Sequence, residues 1–446
     1  MSSAYRAYVL FILVVVYTFN FIDRVIVGIL AEPIKAELRL SDTQLGWMGG
    51  PAFAIFYTLL GIPIARLADR FSRTWIMTAA LALWSGFTAL CGQAQQFWHL
   101  LVARAGVGVG EAGGVAPAYT LVTDYFPQHQ RARALAVFSF GVPIGSGLAF
   151  LFGGLVASSM SWRTAFIVIG LAGLVLAPVF RLTVTEPARG GLDGTVDAGA
   201  GAGAAAVAAG AAGVAGVAGV AGAAGAAAEA KSTFLAVLRI VAGKRAFWCL
   251  AFGAACASLV GYGLLFWLPS FFIRVHQLPL AQTSLYLGIV VLVLQTAGIW
   301  LGGWAADRFG SRNRSAYAFV PALLSATLVP ATVAGALAPS LSLALILFCV
   351  PILLSAAWLG PIVCAIQHLV APAMRATASA IFLFVNNLIG IGGGALFMGA
   401  MSDVLIPRFG RESLRYTIVA ASAFYVLATA LLCLAARHLP RDWQRA

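Results

Sequence analysis

Residues 65–73 read ARLADRFSR and residues 303–312 read GWAADRFGSR, so one ADRF core stands at two places in the chain. Both copies follow a long apolar run. A second pair keeps the same order: RARALAVFSF at 131–140 and RATASAIFLF at 375–384 agree at six of ten positions, and each leads into an apolar run. Two matches at corresponding loops predict a tandem duplication. Parallel repeats with a site between them at the membrane midplane are a transporter architecture.

The composition around these loops fits that reading. Of 446 residues, 61% are hydrophobic and 10% charged, and the mean hydropathy is +0.94, which excludes a water-soluble surface. Apolar runs near the ~20 residues needed to cross a bilayer as helix recur along the whole chain. They number twelve: 6–30, 44–66, 74–93, 97–125, 133–158, 162–184, 246–273, 282–306, 315–337, 340–366, 375–402 and 414–437. Period-two alternation of the kind a membrane barrel needs is absent, so the crossings are predicted helical. The expected fold is an all-α membrane protein of twelve transmembrane helices in two six-helix halves, 1–184 and 246–446.

Between the halves, residues 185–245 are expected to be a linker. Its core, 198–230, holds nine glycines in 33 residues, with alanine making up most of the rest. Such a stretch buries little hydrocarbon and makes a poor helix, so it is not a thirteenth span. With the N-terminus inside, 19 of the 28 lysines and arginines fall on cytoplasmic segments, 7 on the outer side and 2 within the membrane. That bias predicts both termini cytoplasmic. It also accounts for the net charge of +13 without a nucleic-acid partner. Residues 1–30 have no small-residue cleavage site and read as a retained helix, not a signal peptide. The six cysteines lie within spans and show no C-x-x-C spacing; neither a metal nor a cofactor is expected. No paired carboxylates in a soluble segment, G-x-S-x-G or metal-spaced histidines suggest an enzyme.

Four charges sit where charge costs most. Asp23 and Arg24 adjoin in the first span, and Arg104 and Glu111 lie seven residues apart on one face of the fourth. Each costs at least ~2.5 kcal/mol in hydrocarbon and must have a partner or water. Neighbours on a helix do not face each other, so Asp23 is expected to reach Arg104. Arg24, with Tyr17 and Asn20, is expected to face the cavity and bind a substrate anion. Glu111 stands in the glycine-rich GVGVGEAGG. Burial favours its neutral form and an arginine its charged form, so it is the predicted coupling carboxylate, with Asp23 and Arg104. The second half offers Tyr262, Trp267, Asn386 and Asn387 as an aromatic and amide wall, with Trp358 in the tenth span. A cavity charged on one side and apolar on the other suits an amphiphilic anion.

The loop pattern resembles the D-R-x-G-R signature of the major facilitator superfamily. It stands as Asp69, Arg70 and Arg73 in the first copy and as Asp307, Arg308 and Arg312 in the second. Within that superfamily FNFIDR, GVGEAGGVAPAYTLVTDYFP and GVPIGSGLAFLFGG, followed by SWRTAF, are similar to the spinster-like group. The resemblance implies a secondary active transporter in an inner (plasma) membrane, monomeric, with the six loop residues as conformational latches. It also implies proton-coupled symport of an organic anion or lysolipid-like amphiphile. A first-span Asp-Arg pair and a fourth-span Glu-Ala are shared with organic-anion symporters, which makes a carboxylate symporter the alternative. A non-transporting membrane sensor on the same fold is the other.

Overall fold

A serine stands at the N-cap of several crossings, and each accepts a hydrogen bond from a backbone N–H three residues on: Ser2 from Tyr5, Ser41 from Gln44, Ser72 from Trp75, Ser161 from Thr164 and Ser340 from Leu343. Gln44 returns the bond to Ser41 and completes a capping box. In a computed structural model of the chain, which describes residues 2–190, 192, 234–310, 314–355, 357–371 and 374–443, these caps punctuate an all-helical fold. In chain order the helices of the first half are α1 (Ser3–Ile29), α2 (Ala31–Leu38), α3 (Asp42–Gly49), α4 (Pro51–Arg70), α5 (Arg73–Cys91), α6 (Phe97–Glu111), α7 (Val115–Tyr125), α8 (Gln128–Ser139), α9 (Gly141–Ser159) and α10 (Trp162–Thr183). The rest are α11 (Phe234–Ala242), α12 (Arg245–Val275), α13 (Leu280–Gly310), α14 (Ala316–Leu337), α15 (Leu341–Leu354), α16 (Leu359–His368), α17 (Arg375–Phe409), α18 (Ser413–Ala421) and α19 (Ala423–Asp442).

Among the described residues ten stretches are long and apolar enough to cross a membrane. One of them, Thr377–Asp442, turns back after Phe409 and makes two crossings. The remaining crossing is the charged fourth one, made of α6 and α7. Twelve crossings result, in two six-helix halves. Large apolar side chains such as Phe11, Val102, Val175 and Trp300 are exposed around the bundle, as a lipid-facing surface requires.

An even number of crossings leaves both termini on one face, here termed the terminal face. There the segment after α10 ties the first half together. Arg73 donates to Asp124, to Glu186 at 2.7 Å and to the Pro187 carbonyl at 3.2 Å, and Tyr5 Oη donates to the Thr183 carbonyl at 2.9 Å. In the second half Lys244 Nζ joins the carbonyls of Leu369 (2.5 Å) and Asp442 (2.8 Å). The Ala/Gly core of the expected linker lies outside the described residues; α11, on its far flank, is helical.

On the opposite face the halves close on each other. Arg274 of α12 donates to both oxygens of Asp42 at 2.6 and 2.8 Å and to Glu32 at 2.8 Å. Asp42 is fully buried and also accepts from Lys35 (2.5 Å) and from Ser402 of α17 (2.7 Å). Asp403 caps the start of α3, accepting from the backbone N–H of Asp42 (3.0 Å) and Thr43 (2.7 Å). Backbone contact is just as close: a Cβ on Gly46 would stand 2.6 Å from the Ala395 carbonyl oxygen.

Candidate functional site

The glycine run in the fourth crossing does two things. It lets α6 approach α4 backbone to backbone, since a Cβ on Gly108 would lie 2.5 Å from the Phe53 carbonyl oxygen. It also ends α6 at Glu111, and the chain turns through Ala112–Gly114 before α7 begins. Glu111 is thereby carried to α1. Arg24 Nη2 donates to Glu111 Oε2 at 2.7 Å, with side-chain exposures of 6% and 0%, and weakly to Asn20 Oδ1 at 3.4 Å. The guanidinium lies over Phe21 (4.9 Å), Phe53 (4.8 Å) and Tyr57 (4.9 Å). Three ring faces and one carboxylate thus replace its hydration. Arg24 Nε and Nη1 and Glu111 Oε1 make no hydrogen bond to protein.

This arrangement differs from the sequence expectation in two respects. Arg24 is closed on Glu111 instead of presenting a bare cation to the cavity. Arg104 does reach Asp23, but through the Asp23 backbone carbonyl at 2.9 Å and not the carboxylate. Residue depth along a helix fixes level and not azimuth, and at the right level either arginine can face either acid. Asp23 is buried, with Oδ1 making no hydrogen bond. Tyr17 is buried too, its ring stacked on Phe138 at 4.4 Å and edge-on to Phe21 at 5.2 Å.

Two cavities flank the pair. Counting space open to solvent, the larger is about 920 Å³; it lies between the halves and is walled by Phe21, Ser146 and Phe150 from the first and by Tyr262, Gln295 and Trp358 from the second. The smaller, about 470 Å³, is lined by Tyr57, Thr58, Gly61, Ala112 and Asn387. Phe21 belongs to one wall and Tyr57 to the other, and both rings lie over Arg24, so the ion pair is packed behind both walls and lines neither cavity itself. Of the predicted second-half residues, Tyr262 lines the larger cavity and Asn387 the smaller. Asn386 accepts from Ser258 Oγ at 2.8 Å. Trp267 is not on a cavity wall: fully buried, it donates Nε1–H to the Ala395 carbonyl at 2.9 Å and packs α12 on α17.

The loop residues divide in the same way. Arg73 is engaged within the first half, whereas Asp69, Arg70 and Arg308 are exposed. Arg312 and the side chain of Asp307 lie outside the described residues. Sequence reasoning missed the three rings around Arg24, the Asp42–Arg274 closure, and Ser146 and Gln295. Aromatic and small polar residues in a span carry no mark that separates cavity wall from packing.

The comparisons with known proteins agree with this geometry. The family model for the Major Facilitator Superfamily matches residues 13–394. An MFS-type efflux pump of Mycolicibacterium smegmatis is 32% identical over 433 residues, covering 97% of this chain and 92% of that one. Protein spinster homolog 1 of Homo sapiens is 26% identical over 426 residues, covering 91% and 74%. A crystal structure of a bacterial homolog to the human lysosomal transporter Spinster, inward-facing and unoccupied, superposes with a TM-score of 0.83 at 30% identity over 100% of both chains. The inward-facing, occupied form of that homolog gives 0.81. With a repeated loop signature, twelve crossings closed at one face and a buried ion pair behind two cavity walls, this chain belongs to the major facilitator superfamily, in its spinster-like group, and is a membrane transporter and not an enzyme.

Proposed function

We propose that the protein is a proton-coupled symporter of an amphiphilic organic anion, lysolipid-like in having one charged end and an apolar body. The observation that carries this reading is the buried pair Arg24–Glu111, packed against Phe21 of the larger cavity's wall and Tyr57 of the smaller's. Arg24 has free Nε and Nη1 donors but one positive charge, which balances one anion. When a substrate anion takes its Nη groups, Glu111 loses its counter-ion in an apolar site, where an unpaired charge costs more than taking up a proton. Anion and proton therefore load together, and the loaded site carries no more net charge than the empty one. The apolar wall of the larger cavity supports an apolar substrate body.

On the same reading the terminal face is cytoplasmic, in keeping with its excess of lysine and arginine, and the membrane is the inner (plasma) membrane. The closed opposite face then corresponds to an inward-facing state. Residues 1–184 and 246–446 rock as two halves of a monomer joined by the 185–245 linker. Asp69, Arg70 and Arg308 become latch contacts when the terminal face closes. The test is uptake into proteoliposomes under an imposed pH gradient. Glu111→Gln keeps the shape but fixes the neutral form, so gradient-driven accumulation vanishes while substrate binding and exchange down a substrate gradient persist. Accumulation at the wild-type rate by Glu111→Gln would overturn the coupling role.

A further inference from the structure

The larger cavity is apolar over most of its wall, yet one part of it carries neutral hydrogen-bonding groups that the protein leaves unused. Ser146 is 1% exposed and its Oγ has no partner; Tyr262 Oη and Gln295 Oε1 are likewise buried without one. All three residues line the cavity.

Close helix contacts fix their height. A Cβ on Gly145 would lie 2.4 Å from the Thr18 carbonyl and 2.6 Å from Phe21, which puts Ser146 within a turn of Arg24. Gly147 faces Leu292 at 2.7 Å and α13 runs antiparallel to α9, so Gln295, three residues further along α13, lies about a turn nearer the terminal face than Ser146. Gly28 meets the Phe266 carbonyl at 2.9 Å, and one turn back on each helix are Arg24 and Tyr262. Nearer the closed face the wall turns wholly apolar: Phe150, Leu264, Leu268, Leu287 and Phe348. An alkyl chain suits that part. From the level of Arg24 toward the terminal face it would instead cover three polar groups and leave each unsatisfied, a cost that an occupant with its own donor or acceptor avoids.

We propose, resting on the anion site read above, that Ser146, Tyr262 and Gln295 form a specificity station for an uncharged hydrogen-bonding group, such as a hydroxyl or carbonyl, that the substrate carries within a few bonds of its anionic end. The station discriminates against a plain alkyl anion of equal length. Sites built to bond a hydroxyl reject analogues lacking it, because the buried partners are then left unpaired.

The test compares dodecyl phosphate with 2-hydroxydodecyl phosphate, one hydroxyl apart, as dissociation constants for the protein in lipid nanodiscs. Wild type is expected to favour the hydroxylated probe by about 3- to 10-fold, the range of one or two net hydrogen bonds. Ser146→Ala, Tyr262→Phe and Gln295→Met each narrow that ratio, and together they bring it to about 1 by letting dodecyl phosphate bind more tightly than in wild type, since no buried group is then left unpaired; a retained cooperative melting transition is the control for folding. Equal wild-type affinity for the two probes, or a ratio that survives the triple substitution, overturns the station while leaving the anion site standing. Binding of neither probe by wild type overturns the amphiphilic-anion reading and the station with it. Arg24→Ala separates the two claims further: it weakens both probes in parallel if Arg24 holds the phosphate, and leaves their ratio intact.

Discussion

Asp42 is the residue whose loss should move the conformational equilibrium most. Its carboxylate is fully buried and takes two bonds from Arg274 and one from Ser402 across the interface, besides one from Lys35 within its own half. Asp42→Asn keeps the shape and one acceptor but removes the charge. Hydrogen bonds to charged groups contribute about 1.5–3 kcal/mol each, against about 1 for neutral ones. Arg274 keeps Glu32 at 2.7 Å and is not orphaned, so the full cost of breaking a buried pair does not apply. A net loss of about 2–3 kcal/mol from the closed face follows, or roughly a 30- to 150-fold shift toward the state open on that face. The assay is the distance distribution between spin labels at Ala36 and Arg411, both exposed on that face, with all six free cysteines replaced. It should be run where wild type populates both distances. Asp42→Asn should then show almost only the longer one, and a population ratio within twofold of wild type would refute the assignment of Asp42 as the element that holds this face shut.

Two further outcomes follow from the packing and the terminal-face contacts. Gly108→Ala puts a Cβ 2.5 Å from the Phe53 carbonyl oxygen; α6 must move off α4, costing about 1–3 kcal/mol, lowering the melting temperature and slowing gradient-driven uptake through the displaced Glu111, whereas Gly61→Ala, at a glycine with open space around it, is expected to be silent in both assays. Partial burial pushes the Glu186 carboxyl up, but hydrogen bonds from the Thr74 N–H, Arg73 and Ser72 outweigh it and hold the group below its ordinary value. A depressed carboxyl adds stability above its unfolded value of about 4.3 and loses it as pH falls through the folded one, so melting temperature against pH should fall less steeply on the acid side in Glu186→Gln than in wild type.

How much of this was legible in the sequence depends on whether the physics is local. Run length fixes the crossings because the bilayer is a constant ruler, and the repeated ADRF loops expose the duplication. Burial cost singles out Asp23, Arg24, Arg104 and Glu111 as soon as their spans are known. Which acid meets which arginine is set by helix rotation and by how near α6 approaches α4, and neither is written in residue spacing. The break after Glu111 is a related case: GVGVGEAGG announces close packing, but a continuous helix satisfies the same glycines. Asp42 and Arg274 stand at span ends, where charges usually meet solvent, and only their juxtaposition across 232 positions turns them into a closure.

The duplication sharpens what the ion pair means. The repeat offset is 238 residues at the first loop pair and 244 at the second, which carries Arg24 onto Tyr262 and Glu111 onto Ser355. Both of those residues line the larger cavity, so the positions that hold charge in the first half hold neutral hydroxyls in the second. The corresponding positions of the two halves thus divide the chemistry, the second half's hydroxyls lining the larger cavity and the first half's ion pair packing behind Phe21 and Tyr57 of the cavity walls. A charge on both walls would bind an anion from two sides and require two carboxylates to be neutralised before the halves could move. With the charge confined to one wall, a single proton suffices to neutralise Glu111 when Arg24 changes partner. Under the proposed function, the neutral wall then has only to recognise the rest of the substrate, and the asymmetry of the halves is what coupling one proton to one anion would require.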